Sequence, residues 1–383
     1  MELKPKVLII GAGVAGLTLS IFLKRAGIES VVYEASVENQ NSGAGFVLSP
    51  NGIRVLESLG VQGEILKRGS RLIHDSTHGL KGEEIMRSTF DTTNSGFDLL
   101  SLNRYDLCEV LLSEAKKQGI NVIYNKKLID VTQSYDHVNA HFQDGSFQKG
   151  DLLVGADGVH SKTRRITFPE MYLDYTGLYG IQGLAPSNSY YDEMLFEKSI
   201  SFTDFKKDFY VFVSRTNPKS KNGLLWQALG KKERKYPTNE FEQLDSENIK
   251  KRLLQQIEDW ENPFVDILKQ TTSIHPRSLY TLKNITHWSR DRIVLIGDAI
   301  HTTNPILGQG ASWSLEDGMY LAKMLSKHSY RDAFYFFEYD RRKRIEFIKE
   351  HVGMSIEDLS FSHGGAFETA FNYSIEWEDS KVK

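Results

Sequence analysis

A glycine-rich turn near the N-terminus limits the folds open to this chain more than any other feature. The apolar run at residues 6–10 (KVLII) leads directly into residues 11–16 (GAGVAG), and apolar residues at helical spacing follow. A GxGxxG turn between a strand and a helix lets a pyrophosphate approach the N-terminus of the helix. The sequence therefore predicts a dinucleotide-binding β-α-β unit, whose phosphate contacts are Gly11, Gly13, Ala15 and Gly16.

An acidic residue stands at the end of the next predicted strand. Residues 30–33 (SVVY) form this strand, and Glu34 and Ala35 follow it. A carboxylate at this point hydrogen-bonds a ribose hydroxyl group and disfavours a 2′-phosphate. We therefore expect Glu34 and Ala35 to contact a resident NAD or FAD, and not NADP.

Two further apolar runs each end in small residues and an aspartate. Residues 152–154 (LLV) lead to Asp157, and residues 292–296 (RIVLI) lead to Asp298. Ligands of open parallel sheets bind at the carboxyl ends of the strands. We therefore expect both aspartates to converge on the crevice of the glycine turn.

The middle of the chain has a different pattern. Residues 173–280 contain alternating apolar and aromatic runs separated by turn-like segments, which predicts an inserted β-sheet with one helix at 246–260. The predicted fold class is α/β. It combines a Rossmann-type nucleotide-binding domain (1–71, 98–172 and 281–352), a substrate-binding β-sheet domain (72–97 and 173–280), C-terminal helices, and a tail or helix at 353–383.

Composition excludes several functional classes. The formal net charge is −3, and the basic run at residues 341–344 (RRKR) is typical of a solvated helix face, so no nucleic-acid partner is expected. The single cysteine, Cys108, excludes an internal disulfide and a cysteine-built zinc site, and no metal site is indicated. No stretch reaches the length of a membrane helix. We expect a cytoplasmic monomer or homodimer without stable membrane insertion.

Three segments resemble one enzyme family. Residues 155–164 (GADGVHSKTR) resemble the DGxxSxxR segment of the para-hydroxybenzoate hydroxylase-like, or group A, FAD-dependent monooxygenases. Residues 297–301 (GDAIH), with Pro305 and residues 308–310 (GQG), resemble that family's GDAxH…PxxGQG segment. With the first glycine turn, the segments occur in the family's order and cover the chain from about Val7 to Leu325. The resemblance implies a GR2-like FAD-binding domain.

The resemblance also implies roles for individual residues. Asp298 binds a ribityl hydroxyl, and Arg104 reaches the pyrophosphate. Asp157 and Arg164 have a double role, contacting both the surroundings of the FAD phosphates and the route by which the nicotinamide donor approaches. Gly45 belongs to a loop beside the isoalloxazine edge. The segment expected near the isoalloxazine ring, partly through backbone N–H groups, comprises Pro305, Gly308, Gln309, Gly310 and Ala311. His301 is interpreted as a structural neighbour of this loop.

The reaction implied by the resemblance is an aromatic hydroxylation. Tightly but non-covalently bound FAD is reduced by NAD(P)H, which binds transiently because the sequence has no second GxGxxG of this kind. Oxygen then adds at flavin C4a, and the hydroperoxide hydroxylates a phenolic or polycyclic small molecule. No side chain is assigned as a catalytic base. Candidate substrate contacts are Phe202, Phe209, Tyr210, Phe212, Trp226, Pro305 and Leu307.

Two other functions stay open at this stage. A reductase or dehydrogenase similar to the geranylgeranyl reductases would use the same fold without inserting oxygen, and a non-catalytic flavin-binding protein would need only the cofactor site. The predicted strand at residues 209–214 contains no arginine, which disfavours carboxylate-binding and urate-binding relatives. Arg215 and Arg277 are the arginines that would substitute.

Overall fold

A six-stranded sheet forms the centre of the first domain in the computed structural model, which describes residues 4–38, 45–90, 92, 94–232, 244–302, 305, 308–351 and 365–377. The strand order is β18 (Ser289–Arg290), β19 (Ile293–Leu295), β12 (Leu152–Gly155), β1 (Val7–Ile10), β2 (Ser30–Tyr33) and β8 (Asn121–Ile123). All pairs are parallel except the edge pair of β18 and β19. β1 is buried on both faces, which explains its uninterrupted apolar sequence.

Both faces of this sheet are covered. One face packs against α1 (Val14–Arg25), which also contacts α4 (Arg104–Lys117) and α10 (Gly310–Lys327). The other face shares a core with an antiparallel sheet of β9 (Leu128–Gln133), β10 (Val138–Phe142) and β11 (Phe147–Gly150). This layered arrangement is that of a Rossmann-type α/β domain, as the sequence predicts.

The second domain is built on a seven-stranded sheet. Its order is β17 (Ser273–Lys283), β13 (Tyr172–Ala185), β16 (Leu224–Lys231), β15 (Phe209–Arg215), β14 (Lys198–Asp204), β5 (His74–His78) and β6 (Glu84–Thr89). β5 pairs in parallel with β14, and the other pairs are antiparallel. Strands from residues 74–89 and from residues 172–283 thus lie in one sheet.

Helices cover one face of this second sheet, which we call the covered face. They are α6 (Ser189–Met194), α7 (Ser246–Gln256) and α8 (Pro263–Gln270). The single helix expected at residues 246–260 is therefore shorter, and α8 follows it. Asn262 begins α8 by accepting a hydrogen bond from the Phe264 N–H at 3.0 Å, with Pro263 in the first turn. The opposite, open face points toward the first domain.

The remaining elements join the two domains and complete the first. A three-stranded sheet of β3 (Gly45–Leu48), β7 (Leu99–Asn103) and β4 (Ser70–Leu72) lies at the junction. The other helices are α2 (Pro50–Leu59), α3 (Gln62–Leu66), α5 (Lys162–Thr167), α9 (Asp298–His301), α11 (Tyr330–His351) and α12 (Gly365–Asn372). Over the described ranges, none of the helices combines the length and hydropathy needed to cross a membrane.

The C-terminal segment docks on the first domain. Arg54 of α2 donates to the backbone carbonyls of Phe371 and, at 2.7 Å, Tyr373. The Trp377 ring packs 4.8 Å from that of Phe22. The segment at 365–377 is thus a helix and an extended stretch that cover α1 and α2.

Candidate cofactor and substrate site

Four neighbouring strands of the first sheet end at the same level. Ile10 of β1 pairs with both Tyr33 of β2 and Gly155 of β12, and Gly155 pairs with Leu295 of β19. The loops that follow these strands therefore leave the sheet side by side. They carry Glu34, the glycine turn, Asp157 and Asp298 to one crevice, as expected for the carboxyl edge of a parallel sheet.

The glycines of the first turn are required for different reasons. Gly11 has a φ of +109°, and a Cβ on it would lie 2.4 Å from the Ala156 carbonyl oxygen. A Cβ on Gly16 would lie 2.0 Å from the Gly11 carbonyl oxygen, so this glycine lets α1 pack closely. A Cβ on Gly13 would meet no described atom within 4 Å. Gly13 therefore leaves a space at the N-terminus of α1 that none of the described residues fills.

The Glu34 carboxylate is fixed between the glycine turn and its own strand end. One oxygen accepts the Ala12 N–H at 2.9 Å, and the other accepts the N–H and hydroxyl of Ser36 at 2.9 and 2.7 Å. Ala35 is exposed beside it. Each carboxylate oxygen accepts more than one hydrogen bond, so a ribose hydroxyl still fits here.

Arg104 begins α4 at the other side of this pocket. Burial raises the pKa of the Cys108 thiol, the neighbouring Arg104 guanidinium opposes that rise, and the Glu34 charge adds to it. The three side chains therefore share one electrostatic environment. A guanidinium at this position suits phosphate oxygens.

Asp157 and Arg164 fasten the loop after β12. The Asp157 carboxylate accepts the Lys162 and Thr163 N–H groups at 2.8 and 2.9 Å, so it caps the start of α5. Arg164 is 1% exposed and donates to the carbonyl oxygens of Ala299 at 2.6 Å and Val159 at 2.7 Å. These contacts tie α5 to α9 and shape the crevice wall. Direct contact of either side chain with a phosphate stays a prediction.

Asp298, the first residue of α9, lies beside the N-terminus of α10. Gly297 has a φ of +60°, and a Cβ on it would lie 3.1 Å from the Cβ of Ala15. The exposed Asp298 carboxylate lies 3.9 Å from the position of a Cβ on Gly310. Gly310 and Ala311 open this helix, and the N–H groups of a first helical turn have no partner within the helix. Carboxylate acceptors and backbone donors therefore meet at this point of the crevice.

The loop before α10 is anchored from inside the protein. The buried Gln309 amide donates to the Ser49 hydroxyl at 2.9 Å, and its carbonyl accepts from Asn51 at 3.1 Å. The same Asn51 amide donates to Glu316 at 2.7 Å. The Gln309 side chain is thus directed inward, toward α2. Of the neighbouring predicted residues, Gly308 has a φ of +60°, Pro305 is described, and Leu307 lies outside the described residues.

A buried charge cluster supports this anchor. Arg341 lies 2.8 Å from Asp317 and 2.6 Å from Glu316, and Arg344 lies 2.9 Å from Glu316. Two carboxylates of α10 thus face two guanidiniums of α11. Burial alone raises the pKa of Asp317, yet His301 and Arg341 together hold it below its usual value. The interpretation of residues 341–344 as a solvated face is wrong for Arg341, which is 0% exposed.

His301 belongs to the same cluster. Its Nε2 lies 2.6 Å from Asp317, which also accepts the Gly297 N–H at 2.8 Å. The imidazole packs between Trp288 and Trp313, whose ring centroids are 5.6 and 5.8 Å away. His301 thus lies in the core beneath the crevice, in agreement with its interpretation as a structural residue.

The aromatic residues of the second domain divide between the two sheet faces. Phe202, Phe209 and Trp226 lie on the covered face, where Trp226 stands edge-on 5.4 Å from Phe264 and donates to the Thr271 hydroxyl at 2.8 Å. They form the core beneath α7 and α8. The structure thus corrects the expectation that these three residues line a substrate pocket.

Tyr210 and Phe212 lie on the open face, toward the first domain. Phe212 packs against the core of that domain. Burial raises the pKa of the Tyr210 phenol above its usual value, and the nearby Asp75 charge adds to the rise. Arg215 points away from this face and pairs with Asp192 at 3.0 Å. Arg277 lies on the open face, opposite Gly180.

One row of side chains crosses the open face from strand to strand. In register order it consists of Thr77, Ser201, Phe212, Gln227, Gln182 and His275. Gln182 and Gln227 both donate to the carbonyl oxygen of Gly45, at 3.3 and 3.4 Å. This row therefore meets the start of β3, in the loop region expected beside the flavin.

Comparison with known proteins identifies the family. Residues 4–333 match the family model described as FAD binding domain. The chain belongs to this family.

Individual known proteins are similar to the chain over most of its length. It is 26% identical to the 6-hydroxynicotinate 3-monooxygenase of Bordetella bronchiseptica, covering 91% of each protein. It is 28% identical to the 2-heptyl-3-hydroxy-4(1H)-quinolone synthase of Pseudomonas aeruginosa, covering 90% of this chain and 87% of that protein. The structure of Klebsiella pneumoniae HpxO complexed with FAD and uric acid superposes with a TM-score of 0.79 at 22% identity, over 96% of this chain and 91% of that chain.

The crevice fits FAD on its own geometry. The space beside Gly13 lies at the N-terminus of a 12-residue helix, where a pyrophosphate is stabilised by free N–H groups. Glu34 would bind the adenosine ribose, and Asp298, beside α10, would bind the ribityl chain. The first turn of α10 would offer N–H groups to an electron-rich flavin edge.

Sequence reasoning missed two sets of residues at this site. The first is the inward anchor of the α10 loop, made by Asn51, Glu316 and Arg341. The second is the pair Gln182 and Gln227. A signal for the pair existed, because each glutamine interrupts a local run without other polar side chains, at residues 180–185 (GIQGLA) and 224–229 (LLWQAL). The importance of the pair depends on the register that places the two glutamines opposite each other.

Proposed function

We propose that this FAD-dependent enzyme hydroxylates the aromatic ring of a small molecule, with NAD(P)H as electron donor and O₂ as the source of the inserted oxygen. The single observation that carries the proposal is the position of the polar row on the open face, whose two glutamines bond the carbonyl of Gly45, a residue expected beside the flavin. Bound FAD supplies both the electron transfer and the activation of oxygen. The chain itself has to hold the cofactor, orient the ring and exclude water.

Residues at or near the carboxyl ends of the strands would bind the cofactor. Gly13, Glu34, Arg104 and Asp298 would contact the adenosine, pyrophosphate and ribityl parts. The buried links from Gln309 to α2 would keep the first turn of α10 in place while the ring system binds.

Residues on the open face would orient the substrate. Tyr210, Phe212 and Pro305 form the proposed wall. Because burial raises the Tyr210 pKa, the phenol stays protonated at neutral pH and acts as a hydrogen-bond donor rather than a base. His301 lies in the core and is not placed to take a proton from the substrate.

Names of relatives support an aromatic, nitrogen-containing substrate. The two curated relatives are named for a hydroxynicotinate and a hydroxyquinolone, and the HpxO structure contains uric acid. All three compounds are oxygenated nitrogen heterocycles. We extend this class to the present protein, and we place the enzyme in the cytoplasm as a monomer or homodimer.

The test is a screen of NAD(P)H consumption by the FAD-loaded enzyme with oxygenated pyridines, quinolones and phenols, read by mass spectrometry. We expect a product that has gained one oxygen, in an amount that matches the NAD(P)H consumed. A product that has gained two hydrogens instead would identify a reductase. NAD(P)H consumption that no aromatic compound stimulates would contradict the proposal.

A further inference from the structure

The amide pair, Gln182 and Gln227, occupies the centre of the open face. The two residues are direct cross-strand partners on β13 and β16. Directly opposite residues of an antiparallel pair have Cβ atoms about 5 Å apart, so their side chains run alongside each other. Both are half-buried, and both N–H bonds end on one carbonyl oxygen, that of Gly45.

Each amide retains hydrogen-bonding capacity. A glutamine side chain has two N–H donors and a carbonyl oxygen with two lone pairs. Gly45 takes one N–H from each, and among the described residues no other partner bonds either amide. One donor and one acceptor per glutamine therefore remain for a molecule in the crevice.

The neighbours of Gln227 on the open face are apolar. On the same face, Leu225 and Leu229 flank Gln227 along β16, and Phe212 lies opposite Gln227 on β15. A ligand that displaces water from the Gln227 amide without replacing the lost hydrogen bonds therefore binds at a free-energy cost. The pair therefore favours a ligand that offers both an acceptor and a donor.

The pair itself carries no charge. The described row contains no arginine or lysine, and Arg215 points away from this face. His275 lies next to Gln182, and its pKa is lowered by burial and by Arg277, which lies on the open face of the edge strand opposite Gly180. An uncharged edge with one donor and one acceptor therefore matches the two amides themselves, while Arg277 lies beside them on the edge strand.

We propose that Gln182 and Gln227 determine specificity by binding the neutral edge of a ring lactam, in which an N–H stands beside a C=O. The lactam oxygen accepts from the free amide N–H groups, and the lactam N–H donates to a glutamine carbonyl. A phenol donates and accepts through a single oxygen atom instead of two adjacent atoms, and an N-alkylated lactam lacks the donor. This assignment rests on the proposed function, since it takes the open face as the substrate wall.

The experiment uses FAD-loaded enzyme titrated with three probes: 2-quinolone, N-methyl-2-quinolone and 2-naphthol. Binding is followed by the change in flavin absorbance, which gives Kd without turnover. Variants are Gln182→Leu, Gln227→Leu and the similarly sized Gln227→Glu. Gln255→Leu, exposed on α7 across the sheet, is the matched control.

We expect the native enzyme to bind 2-quinolone about tenfold or more tightly than its N-methyl derivative, the size of one to two neutral hydrogen bonds. Gln182→Leu and Gln227→Leu should each abolish this preference and change the Kd for 2-naphthol less than threefold. Gln227→Glu, which keeps an acceptor for the lactam N–H, should retain the preference, as should the control. A native enzyme without the preference, or leucine variants that retain it, would overturn the inference.

The two proposals fail differently. If all three probes bind and become hydroxylated without discrimination, the hydroxylase assignment stands and the lactam assignment falls. If no aromatic probe perturbs the flavin or gains oxygen, both fall.

Discussion

The glycines of the first turn permit a sharp test, because two of them differ only in what a methyl group would meet. Gly13→Ala adds a Cβ to a residue in extended backbone, with no described atom within 4 Å. Gly16→Ala adds the same group 2.0 Å from the Gly11 carbonyl oxygen. One variant therefore probes the space reserved for FAD, and the other probes the packing of α1.

Gly16→Ala should lower the stability of the fold, whereas Gly13→Ala should lower the affinity for FAD. A Cβ and a carbonyl oxygen do not approach below 3.0 Å, so Gly16→Ala forces α1 and the turn apart by about 1 Å. Overpacking of this kind costs about 1–3 kcal/mol of stability. In Gly13→Ala, reduced entropy of the unfolded chain and a poorer N-cap oppose each other, which leaves stability within about 1 kcal/mol. Its methyl group meets the pyrophosphate instead, so FAD affinity should fall tenfold or more.

Thermal unfolding of the apoproteins measures stability. Titration with FAD, followed by quenching of flavin fluorescence, measures cofactor affinity separately. We expect Gly13→Ala to unfold like the native apoprotein and to bind FAD weakly. Gly16→Ala should unfold earlier and also bind weakly. Native FAD affinity in Gly13→Ala would refute the placement of the pyrophosphate, and native stability in Gly16→Ala would refute the packing.

Three further variants address the rest of the cofactor site. Glu34→Arg should release FAD, because it replaces the ribose acceptor with a cation, and Asp298→Ala should weaken FAD retention. Equilibrium dialysis measures the FAD affinity of both variants. A variant that purifies fully loaded with FAD would contradict its prediction. Arg341→Met should lower the free energy of unfolding by about 3–5 kcal/mol at neutral pH, because it leaves Glu316 and Asp317 buried without this partner. Since the pKa of each carboxyl lies below its usual value of 4.5 or 3.8, their native stabilisation is present above those values and is lost as pH falls below them. The deficit of Arg341→Met in urea unfolding should therefore shrink toward acid pH, and a deficit that is equal at all pH values would exclude this cause.

Much of the cofactor site could be predicted because its signals are local. The glycine turn, Glu34 and Asp298 each stand at the end of an apolar strand, and parallel strands bring such ends together whatever their separation in sequence. Arg164 fits the family pattern equally well. The sequence does not show that its guanidinium bonds the Ala299 and Val159 carbonyls.

The substrate side depends on information that is not local. Alternation along β15 separates Phe209 from Tyr210, but which of them faces the crevice depends on where α7 and α8 pack. The second of these helices had a usable signal in Asn262 and Pro263, an N-cap residue followed by proline. In the sequence, Arg341 belongs to a basic run that is typical of a helix surface. Its burial follows from the packing of α11 against α10, which places two buried carboxylates next to its guanidinium.

We propose that the FAD crevice inserts oxygen into an aromatic ring bound on the open face. The most direct measurement is turnover of an oxygenated nitrogen heterocycle under isotopically labelled dioxygen, with mass spectrometry of the product. We expect one labelled oxygen atom per product molecule and about one NAD(P)H consumed for each. Oxidation of NAD(P)H without label in any product, or incorporation of oxygen from water, would contradict this proposal.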